Sequence, residues 1–233
     1  MFRTAIRLSA AVAAVGFFSQ AALANLTIPT QFTVSNSVQA FPFENRQAFD
    51  LVNLTVSARG TTYVAAPGTP GESNGTVTPA AFGFPITKIV IGPRLNIVSG
   101  TAVGSALFFE RFNDETGRTL GFTLANFTIN YDLKKVLADT TPVGGVTKPQ
   151  MPIYDFTVNT PLALKYKFPL SVTGHEVLGN LKLTPQAKDV FRTVLELPEF
   201  TEFALEFDYG TLTQDISVKL RSRPITTRPY VAN

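Results

Sequence analysis

Residues Thr184–Tyr209 read TPQAKDVFRTVLELPEFTEFALEFDY. Thr184 suits a helix cap, because its hydroxyl can accept an unpaired backbone N–H of the first turn. Pro185 suits the first helical position, where no N–H is needed. Ala187, Val190, Phe191, Val194 and Leu195 then recur at helical spacing and make one apolar stripe. Pro198 prevents continuation. Beyond it the period changes to two. Phe203, Leu205, Phe207 and Tyr209 alternate with Glu202, Ala204, Glu206 and Asp208, which predicts a strand with one buried and one wet face. No other stretch after residue 24 has a helical pattern of this quality. The chain therefore reads as all-β, an antiparallel β-sandwich or its barrel-like closure, with one amphipathic α-helix near Thr184–Leu197.

Strand signals surround that helix. Leu162, Leu164, Tyr166, Phe168 and Leu170 alternate with Ala163, Lys165, Lys167 and Pro169. Ile216, Val218 and Leu220 alternate with Asp215, Ser217, Lys219 and Arg221. Two apolar runs, Ala106–Phe112 and Arg118–Leu124, flank the polar loop Asn113–Gly117 and predict a hairpin. Leu120, Phe122 and Leu124 share one parity, whereas Phe127, Ile129 and Tyr131 share the other. A bulge or tight turn at Ala125-Asn126 would restore the inward face. Phe49–Tyr63 predicts a further strand. Ala65–Ala81 is rich in Pro, Gly, Ser and Thr, and is long enough to be a mobile or functional loop. With turn signals between so many short strands, residues 25–233 read as a single β-rich domain.

Met1–Ala24 has the form of a secretory signal peptide. Arg3 and Arg7 precede a short apolar run, and Ala22-Leu23-Ala24 is a small-x-small cleavage site. The run is too short for a membrane-spanning helix, which needs ~20 apolar residues. The chain has no Cys, which together with this signal favours a bacterial exported protein of the periplasm, cell surface or extracellular space. Removing Arg3 and Arg7 leaves 18 Lys and Arg against 17 Asp and Glu, a net of +1. Nucleic-acid binding needs clustered cations, so a charge this small excludes it as an expectation.

The residue types of common active sites are scarce. His175 is the only histidine, and no nucleophile elbow accompanies it. One His and no Cys exclude a conventional zinc site. No phosphate-cradling glycine motif precedes the helix. No catalytic residue, metal ligand or cofactor is assigned.

Two features point to assembly. Leu26, Ile28, Phe32 and Val34 lie at even positions of an alternating terminal segment, which suits pairing either in the chain's own sheet or with a second copy. Glu202, Glu206 and Asp208 belong to an acidic block, whereas Arg221, Arg223 and Arg228 belong to a basic, Pro-containing tail that could dock on it. The 20 Phe and absent Trp would fill a core or line a cavity for an apolar small molecule. The sequence thus predicts an exported structural or cell-surface β-protein assembling with copies of itself. A carrier of an apolar ligand is the first alternative, and a carboxylate-dependent hydrolase the second.

Overall fold

A computed structural model of the chain describes residues 25–93, 96–167 and 171–232. The expected signal segment Met1–Ala24 lies outside the described residues, as does the 168–170 part of the long alternation. In chain order, β1 (Leu26–Pro29) and β2 (Asn36–Ala40) precede a helix, α1 (Phe43–Leu51). Then come β3 (Leu54–Gly60), β4 (Tyr63–Ala66), β5 (Ala81–Pro85) and β6 (Lys88–Ile91). Longer strands follow: β7 (Ile97–Asn113), β8 (Arg118–Asn130), β9 (Lys135–Pro142), β10 (Lys148–Lys167) and β11 (Ser171–Leu183). The chain continues through α2 (Pro185–Leu195), a 3-10 helix (Glu199–Glu206) and β12 (Thr211–Ser217).

The fold is all-β and antiparallel, in the barrel-like form. Among the described residues the strands make one twelve-stranded sheet in the order β1-β6-β7-β8-β9-β10-β11-β12-β2-β5-β4, with β3 also on β7. β7 serves both neighbours on one side: its first part pairs with β6 and its second with β3. Two short links, Thr61-Thr62 and Ile86-Thr87, carry the chain across between the ends of this order. At them Thr61 N donates to Gly104 O (2.9 Å) and Thr87 N to Thr101 O (2.8 Å). Ala106 N donates to Thr62 Oγ1 (2.9 Å). These crossings hold the sheet curled on itself.

The β7–β8 hairpin forms as expected. The parity change falls at Asn126, which has a positive φ of 54° beside a register shift against β9. Helix α2 also forms as expected. Thr184 Oγ1 accepts from Ala187 N (3.3 Å) and donates to Pro152 O (2.6 Å). Its apolar stripe lies over β8 and β10. Phe191 meets Phe109 and Phe122 edge-on at 5.3 and 5.1 Å, and those two rings stack at 5.0 Å. Each buried ring contributes about 1.5–3 kcal/mol, against ~1 kcal/mol for a cap, so the rings hold this helix. At its C-terminus the buried Arg111 guanidinium donates to Leu195 O (2.8 Å), Glu196 O (2.7 Å) and Val52 O (3.0 Å).

Two local expectations change. The strand expected at Phe203–Tyr209 is replaced by the 3-10 helix, whose buried residues are Thr201 and Leu205 and which leaves Phe203 exposed. Glu202 reaches Arg192 (2.8 Å) and Glu206 reaches Lys188 (2.5 Å), two cations one turn apart on α2. A strand would separate those carboxylates by about 13 Å, against about 8 Å in a 3-10 helix and about 6 Å between the cations. The strand expected from Phe49 starts only at Leu54, because Phe43–Leu51 forms α1.

The long loop 65–81 is cinched onto that helix. Asp50 is fully buried, and its carboxylate accepts from Ser73 N (2.7 Å), Asn74 N (3.0 Å), Thr76 N (2.7 Å) and Thr76 Oγ1 (2.7 Å). Gly71 is required there, since a Cβ would lie 2.0 Å from Asp50 Cγ.

Candidate functional site

Away from α2, the curled sheet encloses a slot. One wall is a lateral row fixed by register: Ile89 pairs with Gly100, Gly100 with Ile129, and Ile129 with Val136. Paired residues point to the same face, so this row is apolar and turned inward. Gly100 interrupts it. A Cβ placed there would meet nothing within 4 Å, so the glycine opens onto free space. Its φ is not in the left-handed region, so backbone conformation does not demand glycine.

The facing wall is different. Ser37 pairs with Phe84 on one side and Gln214 on the other, and Gln214 pairs with Glu176. Ser37, Gln39, Glu176 and Gln214 are 3–5% exposed, although they occupy inward positions where strands normally carry apolar residues. Two tyrosines cross from one wall to the other. Tyr131, just after β8, donates its hydroxyl to Glu176 Oε2. Tyr154, on β10, accepts from Gln39 Nε2 (3.3 Å). Gln214 Nε2 donates to Ser37 Oγ (2.7 Å). Ile86, Ile97, Ala102, Phe127, Leu212 and Ile216 are among the other lining residues, whereas Glu176 borders the slot behind the Tyr131 hydroxyl. The open space amounts to about 40 Å³, room for a few water molecules or a short alkyl segment.

The electrostatics follow from burial. Desolvation pushes the Glu176 carboxyl above its usual range, and the Tyr131 hydrogen bond offsets part of this. The Tyr131 phenol is held far above its ordinary value by burial first and by the Glu176 charge second. Burial also raises Tyr154. No Lys, Arg or His lines the slot among the described residues.

The residues singled out in the sequence lie elsewhere. Leu26 and Ile28 sit on β1, opposite Ile91 and Ile89 of β6, with their side chains exposed. Phe32 O accepts from Arg221 N (2.8 Å), and Val34 N donates to Lys219 O (2.8 Å), so the terminal segment and the tail meet through backbone. The Arg221 guanidinium donates to Thr33 O (2.5 Å), Ser35 O (3.0 Å) and Asn36 Oδ1 (2.7 Å). Glu202 and Glu206 face α2, and Asp208 Oδ1 accepts from Gly210 N (2.9 Å). Arg223 and Arg228 are exposed. No ion pair joins the acidic and basic sets among the described residues. Further along, the Asn126 amide clasps the tail: Oδ1 accepts from Tyr230 N (2.8 Å) and Nδ2 donates to Tyr230 O (3.0 Å). His175 pairs with Asp215 (2.8 Å), both of them largely exposed.

The slot went unseen in the sequence because its polar residues imitate an outward face. One signal was present: Gln214 lies between Leu212 and Ile216 on the apolar parity of β12.

Among the described residues, no helix is long and apolar enough to cross a membrane. No group of three or more His, Asp or Glu is placed there to hold a metal ion. No family model matches the chain, and comparison with curated proteins gives no match. Among solved structures, the C-terminal domain of HtaA from Corynebacterium glutamicum is similar at 13% identity and a TM-score of 0.44, covering 78% of this chain and 96% of that one. A likeness this slight carries no functional argument.

Proposed function

We propose that this chain is an exported bacterial β-protein that acts by binding, and that the slot between its two sheet walls receives an apolar small molecule. Export is read from the Met1–Ala24 segment. The observation that carries the binding reading is Gly100. A glycine inside a strand weakens it, and such a position often marks close approach of a ligand or another backbone. Here the space above it is empty, and the residues beside it in the row are Ile89 and Ile129. The experiment is titration of the purified protein with a fluorescent apolar probe, alongside the Gly100→Leu variant. Saturable one-to-one binding by wild type and its loss in the variant support the reading. Equal binding by both, or none by wild type, refutes it.

A second reading is self-assembly through β1, favoured by its place at the sheet edge with all four residues exposed. Exposed edges of this kind can pair with another chain. Size-exclusion chromatography at high concentration tests it: a strict monomer, unchanged by deleting residues 25–29, removes this reading.

A further inference from the structure

A second space lies on the outer face of the sheet. Phe109 and Phe122 point inward, so their neighbours Phe108 and Thr123 point outward, and register carries that outward row from Phe108 through Thr123 to Thr141. Above it is a groove of about 300 Å³, at the small end of the range for ligand pockets. Its lining includes Arg59, Phe108, Thr123, Thr141, Pro142 and Tyr230. Two rings are held in place there. A Cβ at Gly121 would come 3.0 Å from Phe108 Cζ, so the ring lies across the glycine. Tyr230 covers Gly60 in the same way, its Cδ2 standing 2.9 Å from where a Cβ would be. The Asn126 amide bonds both the N–H and the carbonyl of Tyr230, which fixes the tail as a wall of the groove.

Arg59 supplies the charge. Its guanidinium stands over the Phe108 ring, 5.5 Å from the centroid. A guanidinium only donates, and it stays charged at any working pH. Among the described residues its side chain has no ion pair or hydrogen bond. The carboxylates of the same face do not answer it. Asp139 is engaged by Asn126 and Gln150. Glu110 sits opposite Thr55, four residues along β3 from Arg59 and so about 13 Å away. A carboxylate entering the groove would take parallel N–H bonds from Arg59. A planar ring attached to it would gain offset or edge contact with Phe108 and Tyr230, which a saturated body would forgo.

We propose that this groove binds an aromatic carboxylate, with the carboxylate on Arg59 and the ring against Phe108 and Tyr230. The site is separate from the slot, and its success or failure leaves the slot reading as it stands. Amide chemical-shift titration of the purified protein at pH 7 tests it, with 2-naphthoate, the neutral 2-naphthamide and the saturated decahydro-2-naphthoate. A fused ring system is too bulky for the 40 Å³ slot, so the probe discriminates between the two places. Saturable shifts are expected at Arg59, Phe108, Thr123, Thr141 and Tyr230. The aromatic acid should bind about fivefold tighter than its amide and about threefold tighter than the saturated acid. Arg59→Met should bring the acid-to-amide ratio close to one while the amide still binds; Arg59 is exposed, so the variant should fold. Tyr230→Ala should abolish the preference for the aromatic over the saturated acid and leave the acid-to-amide ratio in place. Absence of saturable binding, shifts confined to the slot around Gly100 and Ile129, equal binding of acid and amide, or an unchanged ratio in Arg59→Met overturns the proposal.

Discussion

Removing the Asp50 carboxylate should unlock the 65–81 loop and destabilise the whole chain. The loop is rich in Gly and Pro and has little secondary structure, and four donors from Ser73, Asn74 and Thr76 converge on this one buried side chain. A hydrogen bond to a charged group contributes about 1.5–3 kcal/mol. Four of them do not add, because a released loop can turn its N–H groups to water. What is lost is the ordering of the loop and the cover it gives α1, for which about 3 kcal/mol is the expected cost in Asp50→Ala. Asp50→Asn should cost a similar amount, since its amide turns two N–H groups toward backbone donors. In a chain of this size about 3 kcal/mol lowers Tm by roughly 6–12 °C. The assays are urea unfolding and limited proteolysis, with new cleavage expected inside 65–81. The pH dependence has a definite sign. Burial tends to raise the Asp50 pKa, but the hydrogen bonds from Asn74, Thr76 and Ser73 outweigh it, so the folded value is lowered. Between the folded value and the unfolded ~3.9 only the unfolded state holds the proton. The stabilisation is thus fully present above ~3.9 and lost as pH falls through the lower folded value. Variants within about 0.5 kcal/mol of wild type would show that the loop is not held this way.

Arg111→Met keeps bulk but deprives three backbone carbonyls of their donor, and should cost about 3 kcal/mol in denaturant unfolding; a loss below about 1 kcal/mol contradicts the capping role. Asn126→Ala removes both hydrogen bonds to Tyr230, and should speed chymotryptic cleavage after Tyr230 about tenfold while the thermal transition of the sheet stays cooperative. Glu176 has the opposite linkage to Asp50: its folded pKa is raised, so the native state holds the proton longer, and stability falls as pH rises from the unfolded ~4.3 through the folded value. Glu176→Gln should abolish that fall, seen as a flat Tm across the same window. Gly100→Val should stabilise the fold by about 1–2 kcal/mol, because it removes the backbone entropy cost of glycine and puts methyl groups into empty space; a drop in Tm would mean the space is not there.

Legibility in the sequence followed the range of the interaction. Helix α2 announces itself because cap, stripe and stop are all local, and the structure uses each of them. The Asn126 bulge was visible as a parity change because inward rings on both sides of it must face one core. The 203–209 segment misled because Leu205 and Tyr209 are buried under either reading. What decides between strand and 3-10 helix is the spacing of Arg192 and Lys188 on a different element, which no local pattern reports. The slot is less legible still. Its walls are lateral rows across strands far apart in sequence, so its composition exists only once the register is set. On β2 the buried residues are Ser37 and Gln39, and a sequence reading assigns such residues to water.

The two ends of the curled sheet make contrasting use of the same strands. Where β7 and β8 carry Phe109 and Phe122, α2 delivers Phe191 and the interior is filled. Where the same strands carry Gly100 and Ile129, the interior is open and its far wall is polar. An opening of about 40 Å³ forgoes roughly 1 kcal/mol at the measured cost of cavities. Buried polar side chains add a further requirement, because each must find a partner or lose stability. One larger residue at position 100 would recover the first loss, and apolar residues at 37, 176 and 214 would remove the second requirement. Rules that the rest of the chain obeys are broken together, on two facing walls and at the end that no helix covers. Local inconsistencies of this kind concentrate at functional sites. Their coincidence around a single space is what supports the proposed binding of an apolar molecule at the slot rather than on the charged outer surface.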